Sequence, residues 1–179
     1  MVQNKAWLLD TSSQGDQQEP GYTDPVCHVS VEELAKIGVK YFKLNPKNFE
    51  EDLLKIRSEY GYNYQDEVTC SPGKLANYEA TLKSFYVEHI HAYDEVRYCV
   101  DGSGYFDVRN QNDQWVRVQF VPGDLIILPG GMYHRFTTDL KNYVVARRLF
   151  KNDPDWTPIH RPEADNHIIR QKYLKLYCS

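Results

Sequence analysis

The pattern of apolar and polar positions changes character at residue 95. From there to residue 150 short β-rich runs alternate with turn residues: 95–100, 104–109, 115–120, 124–128, 132–138 and 143–150. Runs of that length and spacing predict an antiparallel sandwich or barrel. Asp101-Gly-Ser-Gly104, Asn110-Gln-Asn-Asp113 and Pro122-Gly123-Asp124 supply the tight turns, and Pro129-Gly-Gly131 bends the chain ahead of His134. Before residue 95 the texture is mixed. Ala6-Trp-Leu-Leu9 reads as an edge strand followed by a loop. Ser30-Val-Glu-Glu33 has the capping-box form and Gly38 sits where a helix would stop, which predicts a helix over about 31–37. Val39–Leu44 is rich in strand formers and is broken by Asn45-Pro46; Phe49, Leu53, Leu54 and Ile56 then recur at helical spacing up to Gly61. Leu75, Tyr78, Leu82 and Phe85 predict a third helix that delivers the chain to His89. The last stretch, with Pro154, Trp156, Pro158 and Pro162 before Tyr173-Leu-Lys-Leu-Tyr177, is expected to wrap the outside of the sheet. The fold class expected is therefore mainly β and antiparallel, with several short helices mostly in the N-terminal half.

The 179 residues suffice for one domain with a real core. The expected organisation is a single domain over 1–179, with a helical part at about 30–86, a barrel core at about 87–150 and a C-terminal wrap over 151–179. A net charge of -4 without a basic cluster argues against nucleic acid as partner and for a small ligand. No window approaches the ~20 apolar residues of a membrane helix, and Met1–Pro20 holds Asp, Ser, Gln and Glu where a signal peptide would be apolar. No membrane insertion is expected. Cys27, Cys70, Cys99 and Cys178 form no Cys-x-x-Cys pair and read as free thiols of a reducing compartment.

The chemistry concentrates in Glu88-His-Ile-His-Ala-Tyr-Asp-Glu-Val-Arg97. His89, His91, Glu95 and Arg97 share parity, and in an extended chain equal parity means a shared face. Such a face either meets water or surrounds something that satisfies it. Two imidazoles and a carboxylate suit Fe(II), Ni(II), Mn(II) or Zn(II); on spacing alone the letters fit a metal site and an exposed strand face equally. His28, His160 and His167 lie outside this stretch and read as surface or structural. Cys99 shares parity with Glu95, which brings it toward the same face or simply buries it.

His89-x-His91-x3-Glu95-x6-Gly102 and Gly123-x5-Pro129-x-Gly131-x2-His134 together resemble the two signature motifs of the cupin superfamily. The resemblance implies a cupin-type β-barrel (a double-stranded β-helix or jelly roll) in which His89, His91, Glu95 and His134 hold one ion per monomer. Lys83 and Thr138 replace a glycine and an asparagine frequent at the motif ends, outside the ligand set. A narrower likeness runs through Phe85-Tyr-x-Glu-His-Ile-His-x3-Glu-x-Arg-Tyr, Gly102-Ser-Gly-Tyr-Phe-Asp-Val-Arg109, Leu128-Pro-Gly-Gly-x-Tyr-His-Arg-Phe136 and Arg147-Arg-Leu-Phe150. These stretches resemble the acireductone dioxygenases of methionine salvage. What that implies is a reaction of acireductone with O2: Fe2+ yields 4-methylthio-2-oxobutanoate and formate, whereas Ni2+ yields 3-methylthiopropanoate, formate and carbon monoxide. Independently of the resemblance, a cytoplasmic protein is expected, with the nucleus as a second location, acting as a monomer whose exterior face is open to a secondary protein partner. Arg97 would offset negative charge on substrate or peroxide. Phe85, Phe136 and Trp156 are the candidates for an apolar wall around the methylthio tail, ordinary barrel core being the competing account. Glu88 and Asp94 are candidate acceptors for imidazole N–H groups, solvated carboxylates being the competing account. The rival functions are another metal cupin, such as a different dioxygenase or a non-redox sugar-phosphate isomerase, and a non-enzymatic cupin binding module.

Overall fold

The computed structural model describes residues 5–12, 15–152 and 157–178. In chain order its strands are β1 (Ala6–Leu8), β2 (His28–Val29), β3 (Lys40–Lys43), β4 (Tyr64–Cys70), β5 (His89–Ile90), β6 (Glu95–Gly102), β7 (Gly104–Arg109), β8 (Trp115–Phe120), β9 (Asp124–Leu128), β10 (His134–Thr138), β11 (Val144–Phe150) and β12 (Ile159–His160). The helices are α1 (Val31–Lys36), α2 (Glu50–Tyr60), α3 (Tyr78–Phe85) and α4 (Ile168–Tyr177), with a 3-10 turn at Glu163–Asn166. Two antiparallel sheets result: seven strands in the order β12-β5-β10-β7-β8-β1-β2, and five in the order β3-β9-β6-β11-β4.

Alternation along the strands decides what lies between the sheets. Phe106, Val108, Val116, Val118 and Phe120 of the first sheet meet Cys99, Ile126, Leu128, Val144 and Ala146 of the second in one buried cluster. The opposite parity of the second sheet, Val96, Tyr98, Leu125, Ile127 and Leu149, is covered by Leu53 and Ile56 of α2. Each such buried aliphatic side chain contributes about 1.5–3 kcal/mol relative to exposure. Thus both faces of β6 are committed, one to the core and one to a helix.

Local sequence explains most boundaries. Ser30 and Glu33 form the expected capping box of α1, and Gly61 ends α2 in the left-handed region at φ 74°. Gly102, at φ +74°, joins β6 to β7 where an added Cβ would run into the Tyr143 carbonyl oxygen, so only glycine fits.

Three expectations need correction, and one strand went unread. The segment at Ala6–Leu8 is not an edge strand, because β2 pairs along its outer side. Leu54, placed on the buried face of α2 by spacing, is 61% exposed. β4, unread in the sequence, is the edge of the five-stranded sheet and pairs along the whole of β11. The C-terminal stretch does not simply wrap a sheet: β12 adds to the seven-stranded sheet, and α4 closes against α1 and the turn before β10. Tyr173 donates to the Ile37 carbonyl at 2.9 Å and Arg170 to the Gly131 carbonyl at 3.0 Å. Gly131, at φ +84°, passes so close to α4 that a Cβ would lie 2.5 Å from the Ile169 carbonyl oxygen.

Candidate metal centre

The chain from His89 to Arg97 is not one strand. It leaves the seven-stranded sheet after Ile90, turns, and enters the five-stranded sheet at Glu95. The parity argument therefore holds only within β6, where Glu95, Arg97 and Cys99 share the inner face. His89 and His134 are brought together instead by direct pairing of β5 with β10. His91 follows in the turn, and Glu95 approaches from the facing sheet. One ligand atom from each of His89, His91, Glu95 and His134 lies within 4.8 Å of the others, and the group is largely shielded from solvent.

The hydrogen bonds fix what these groups present. Nδ1 of His89 lies 2.7 Å from the Val87 carbonyl oxygen, Nδ1 of His134 2.9 Å from that of Met132, and Nδ1 of His91 3.3 Å from that of Thr157. A carbonyl oxygen only accepts, so each Nδ1 carries a hydrogen, and in the neutral ring Nε2 carries the lone pair. Nε2 of His91 and of His134 both stand 3.2 Å from the same oxygen, Oε2 of Glu95. Two imidazole lone pairs against a carboxylate oxygen repel unless a proton or a cation lies between them. A divalent cation satisfies all four donors at once, and the four residues form a metal-binding site.

The protonation tendencies follow from burial and neighbours. Burial, reinforced by His134, pushes the His89 imidazole down to about 3, so it is neutral. For His91 burial works against charge, but the hydrogen bond and negative charge of Glu95 outweigh it and raise its pKa. Glu95 is opposed by burial, yet the Arg97 guanidinium and the hydrogen bonds from His134 and His91 hold it well below the usual carboxylate range. Arg97 Nη2 lies 3.5 Å from Glu95 Oε1, and its pKa is lowered by burial although Glu95 favours its charge.

A cavity of about 440 Å³ opens from these groups and runs between the sheets. Its polar end is formed by the four ligands with Arg97, Arg148 and His160; its apolar end by Phe85, Phe106, Phe120, Phe136, Val144 and Ala146. Phe85 and Phe136 line the cavity, while Trp156 lies outside the described residues. Cys99 does not line it; its thiol points to the Asp101 carbonyl at 3.6 Å, and burial pushes it up to about 12. Cys70, which sequence reasoning did not single out, lines the wall.

Glu88 and Asp94 do not accept from imidazoles. The Glu88 carboxylate takes 2.8 Å and 3.3 Å hydrogen bonds from Arg109, and Asp94 accepts from Tyr62 Oη and Gly130 N. Backbone carbonyls do the work expected of them. Two further residues were missed. Arg148, opposite Arg97 in the β11–β6 register, is held bidentately by Asp66 at 2.7 Å and 2.6 Å. His160, expected to be surface or structural, lines the cavity beside His89.

The model of the ARD/ARD' family matches residues 5–158. Acireductone dioxygenase 4 of Arabidopsis thaliana is 50% identical over 172 residues, covering 95% of this chain and 91% of its own. Acireductone dioxygenase of Branchiostoma floridae is 49% identical over 171 residues and covers 96% of each chain. Among solved structures, acireductone dioxygenase from Bacillus anthracis with a cadmium ion in its active centre superposes with a TM-score of 0.67 at 29% identity, covering 73% of this chain and 87% of that one.

Proposed function

The chain belongs to the ARD/ARD' family, and from that premise we infer that it is an acireductone dioxygenase, a metal-dependent enzyme of methionine salvage that cleaves its substrate with O2. The observation that carries this reading is the meeting of three imidazoles and one carboxylate at the polar end of an apolar cavity. We propose Fe2+ as the resident ion, with 4-methylthio-2-oxobutanoate and formate as products; Ni2+ on the same residues would direct the reaction to 3-methylthiopropanoate, formate and carbon monoxide. In either case both oxygen atoms enter the carbon products, and no reductant is needed.

An ion held by His89, His91, Glu95 and His134 would supply Lewis-acid charge to an anionic enediolate. The residues do the rest. Carbonyl anchoring keeps His89, His91 and His134 in the tautomer whose Nε2 is free to ligate. Glu95, ionised beside Arg97, is the single anionic ligand, so ion and ligand together stay net positive and attract an anion. Arg97 faces the same space and offsets negative charge that builds on the substrate as oxygen attacks. Phe85, Phe136 and their neighbours give the methylthio tail a dry surface and keep water from the headgroup.

The test loads metal-depleted protein with Fe2+, adds acireductone and oxygen, and follows oxygen uptake and products. Substrate that decays no faster than in buffer refutes the function. Bound zinc without oxygen uptake would favour the isomerase rival. We further propose a cytoplasmic monomer with a nuclear pool, which sedimentation and cell fractionation test.

A further inference from the structure

The cavity holds an imidazole that the metal cluster does not use. The β12–β5 register sets His160 directly opposite His89. Paired residues of an antiparallel ladder project from the same face, so both rings enter the cavity, their centroids 6.0 Å apart. Nδ1 of His160 lies 3.1 Å from the Glu88 carbonyl oxygen. As with the three ligand imidazoles, that contact commits the hydrogen to Nδ1 and leaves the lone pair on Nε2 of the neutral ring. Here the similarity ends, because His160 is not in the group whose ligand atoms lie within 4.8 Å of one another. It is anchored as a ligand is, but one ring away from the ion.

Of the side chains at the polar end besides the ligands, Arg97 and Arg148 can only donate, whereas His160 can accept; the Ser84 hydroxyl, which also lines the cavity, is turned to the Thr81 carbonyl at 2.7 Å. A headgroup of hydroxyls and a ketone needs acceptors too: a buried hydroxyl proton facing only donors is left unpaired, and sites that supply its partner discriminate strongly for it. We propose that Nε2 of His160 accepts a hydrogen bond from the one hydroxyl that remains on the bound enediolate monoanion, complementing the guanidinium donors and fixing which way round the headgroup lies. This assignment rests on the reading of the protein as an acireductone dioxygenase.

The test compares wild type, H160N and H160Q, all loaded with Fe2+. Asn keeps an amide N–H toward the Glu88 carbonyl but withdraws the acceptor; Gln restores an amide oxygen near the place of Nε2. Anaerobic titration with acireductone reads binding without turnover, elemental analysis reads metal content, and thermal melting reads the fold. H160N is expected to keep its metal and melting temperature and to bind acireductone roughly tenfold more weakly, the scale of one hydrogen bond with a buried donor left over. H160Q is expected to recover most of that loss, and the same order should appear in KM. Binding by H160N as tight as wild type overturns the assignment. So does loss of metal from H160N, which would make His160 a support for His89, and so does an H160Q no better than H160N. Wild-type protein that consumes neither acireductone nor oxygen overturns the function itself, whereas active wild type with an indifferent H160N overturns only the role of His160.

Discussion

Replacing Arg97 by Gln separates two roles for the buried cation: stabilising substrate charge, or merely keeping Glu95 ionised. The guanidinium stands 3.5 Å from Glu95 Oε1 and is 12% exposed. At that separation and an effective dielectric of about 20, Coulomb attraction is about 5 kcal/mol, an upper bound because desolvation opposes it. An enediolate in the same cavity meets the same charge. Removing one preorganised donor from a site of this kind typically costs about 10²–10³ in rate, or about 2.7–4 kcal/mol. R97Q is therefore expected to lower kcat/KM by that factor. It should still retain metal at neutral pH, since the hydrogen bonds from His91 and His134 continue to favour the Glu95 carboxylate. R97K should recover part of the loss, charge being kept and the planar fork lost. Oxygen uptake and elemental analysis on the same samples decide it. Full metal content with kcat/KM within about threefold of wild type refutes the electrostatic argument; loss of metal from R97Q at neutral pH shows that Arg97 acts through Glu95 instead.

Replacing His91 by Ala removes one of four ligands and leaves a gap open to the rim; metal retention after gel filtration should be lost, and an ion-to-protein ratio equal to wild type would refute the ligand assignment. In the metal-free protein His89 titrates at about 3 when folded, against 6.5 ordinarily. The unfolded chain then takes up the proton first, so this contribution is complete above pH 6.5 and falls as pH drops toward 3, with the depressed Glu95 adding the same sign below 4.5. His91, whose pKa is raised, contributes below 6.5 and loses that contribution as pH rises through its folded value. Denaturant midpoints of metal-free protein should therefore fall on the acid side, and a flat profile between about pH 7 and pH 4 would contradict the burial argument. Leu53→Ala, beneath α2 and 1% exposed, should cost about 2–5 kcal/mol in stability while leaving kcat within about twofold, because it lies on the face of the sheet away from the cavity. A large drop in kcat at a temperature where the variant is folded would show that α2 shapes the site.

How much of this was legible depended on whether the signal was local. β7, β8 and β9 have the bounds that turn residues and alternation predicted, because each is a short strand between strong turns with its inner parity apolar. β4 escaped notice for a physical reason. As an edge strand it carries Gln65, Asp66 and Glu67 in its middle, and only Val68 and Cys70 reach the cavity wall. α4 escaped because its place is set by distant contacts, Tyr173 on Ile37 and Arg170 on Gly131, which no window of sequence contains. Leu54 went wrong in the opposite direction: it follows Leu53 by one residue, about 100° round the helix, and so points away from the sheet that Leu53 and Ile56 cover.

The metal site shows the same division within a few residues. The ligand letters could be read, since imidazole and carboxylate are the side chains a divalent cation takes. The reason offered for their convergence, one continuous strand face, fails because the chain changes sheets between Ile90 and Glu95. Convergence comes instead from the His134–His89 pairing across β10 and β5 and from Glu95 reaching over from the facing sheet, a tertiary fact. The acceptors behind the imidazoles could not be read at all. Glu88 and Asp94 were the visible candidates, yet the carbonyls of Val87, Met132 and Thr157 take that place, and a carbonyl has no letter. For His89 and His134 the acceptor lies two residues back in the chain, so the ligating tautomer is set by the backbone path into β5 and β10. The side chains at 87 and 132 do not enter into it. Gly131 holds one of those paths against α4, which ties the electronic state of a metal ligand to a glycine that touches neither the ion nor the substrate.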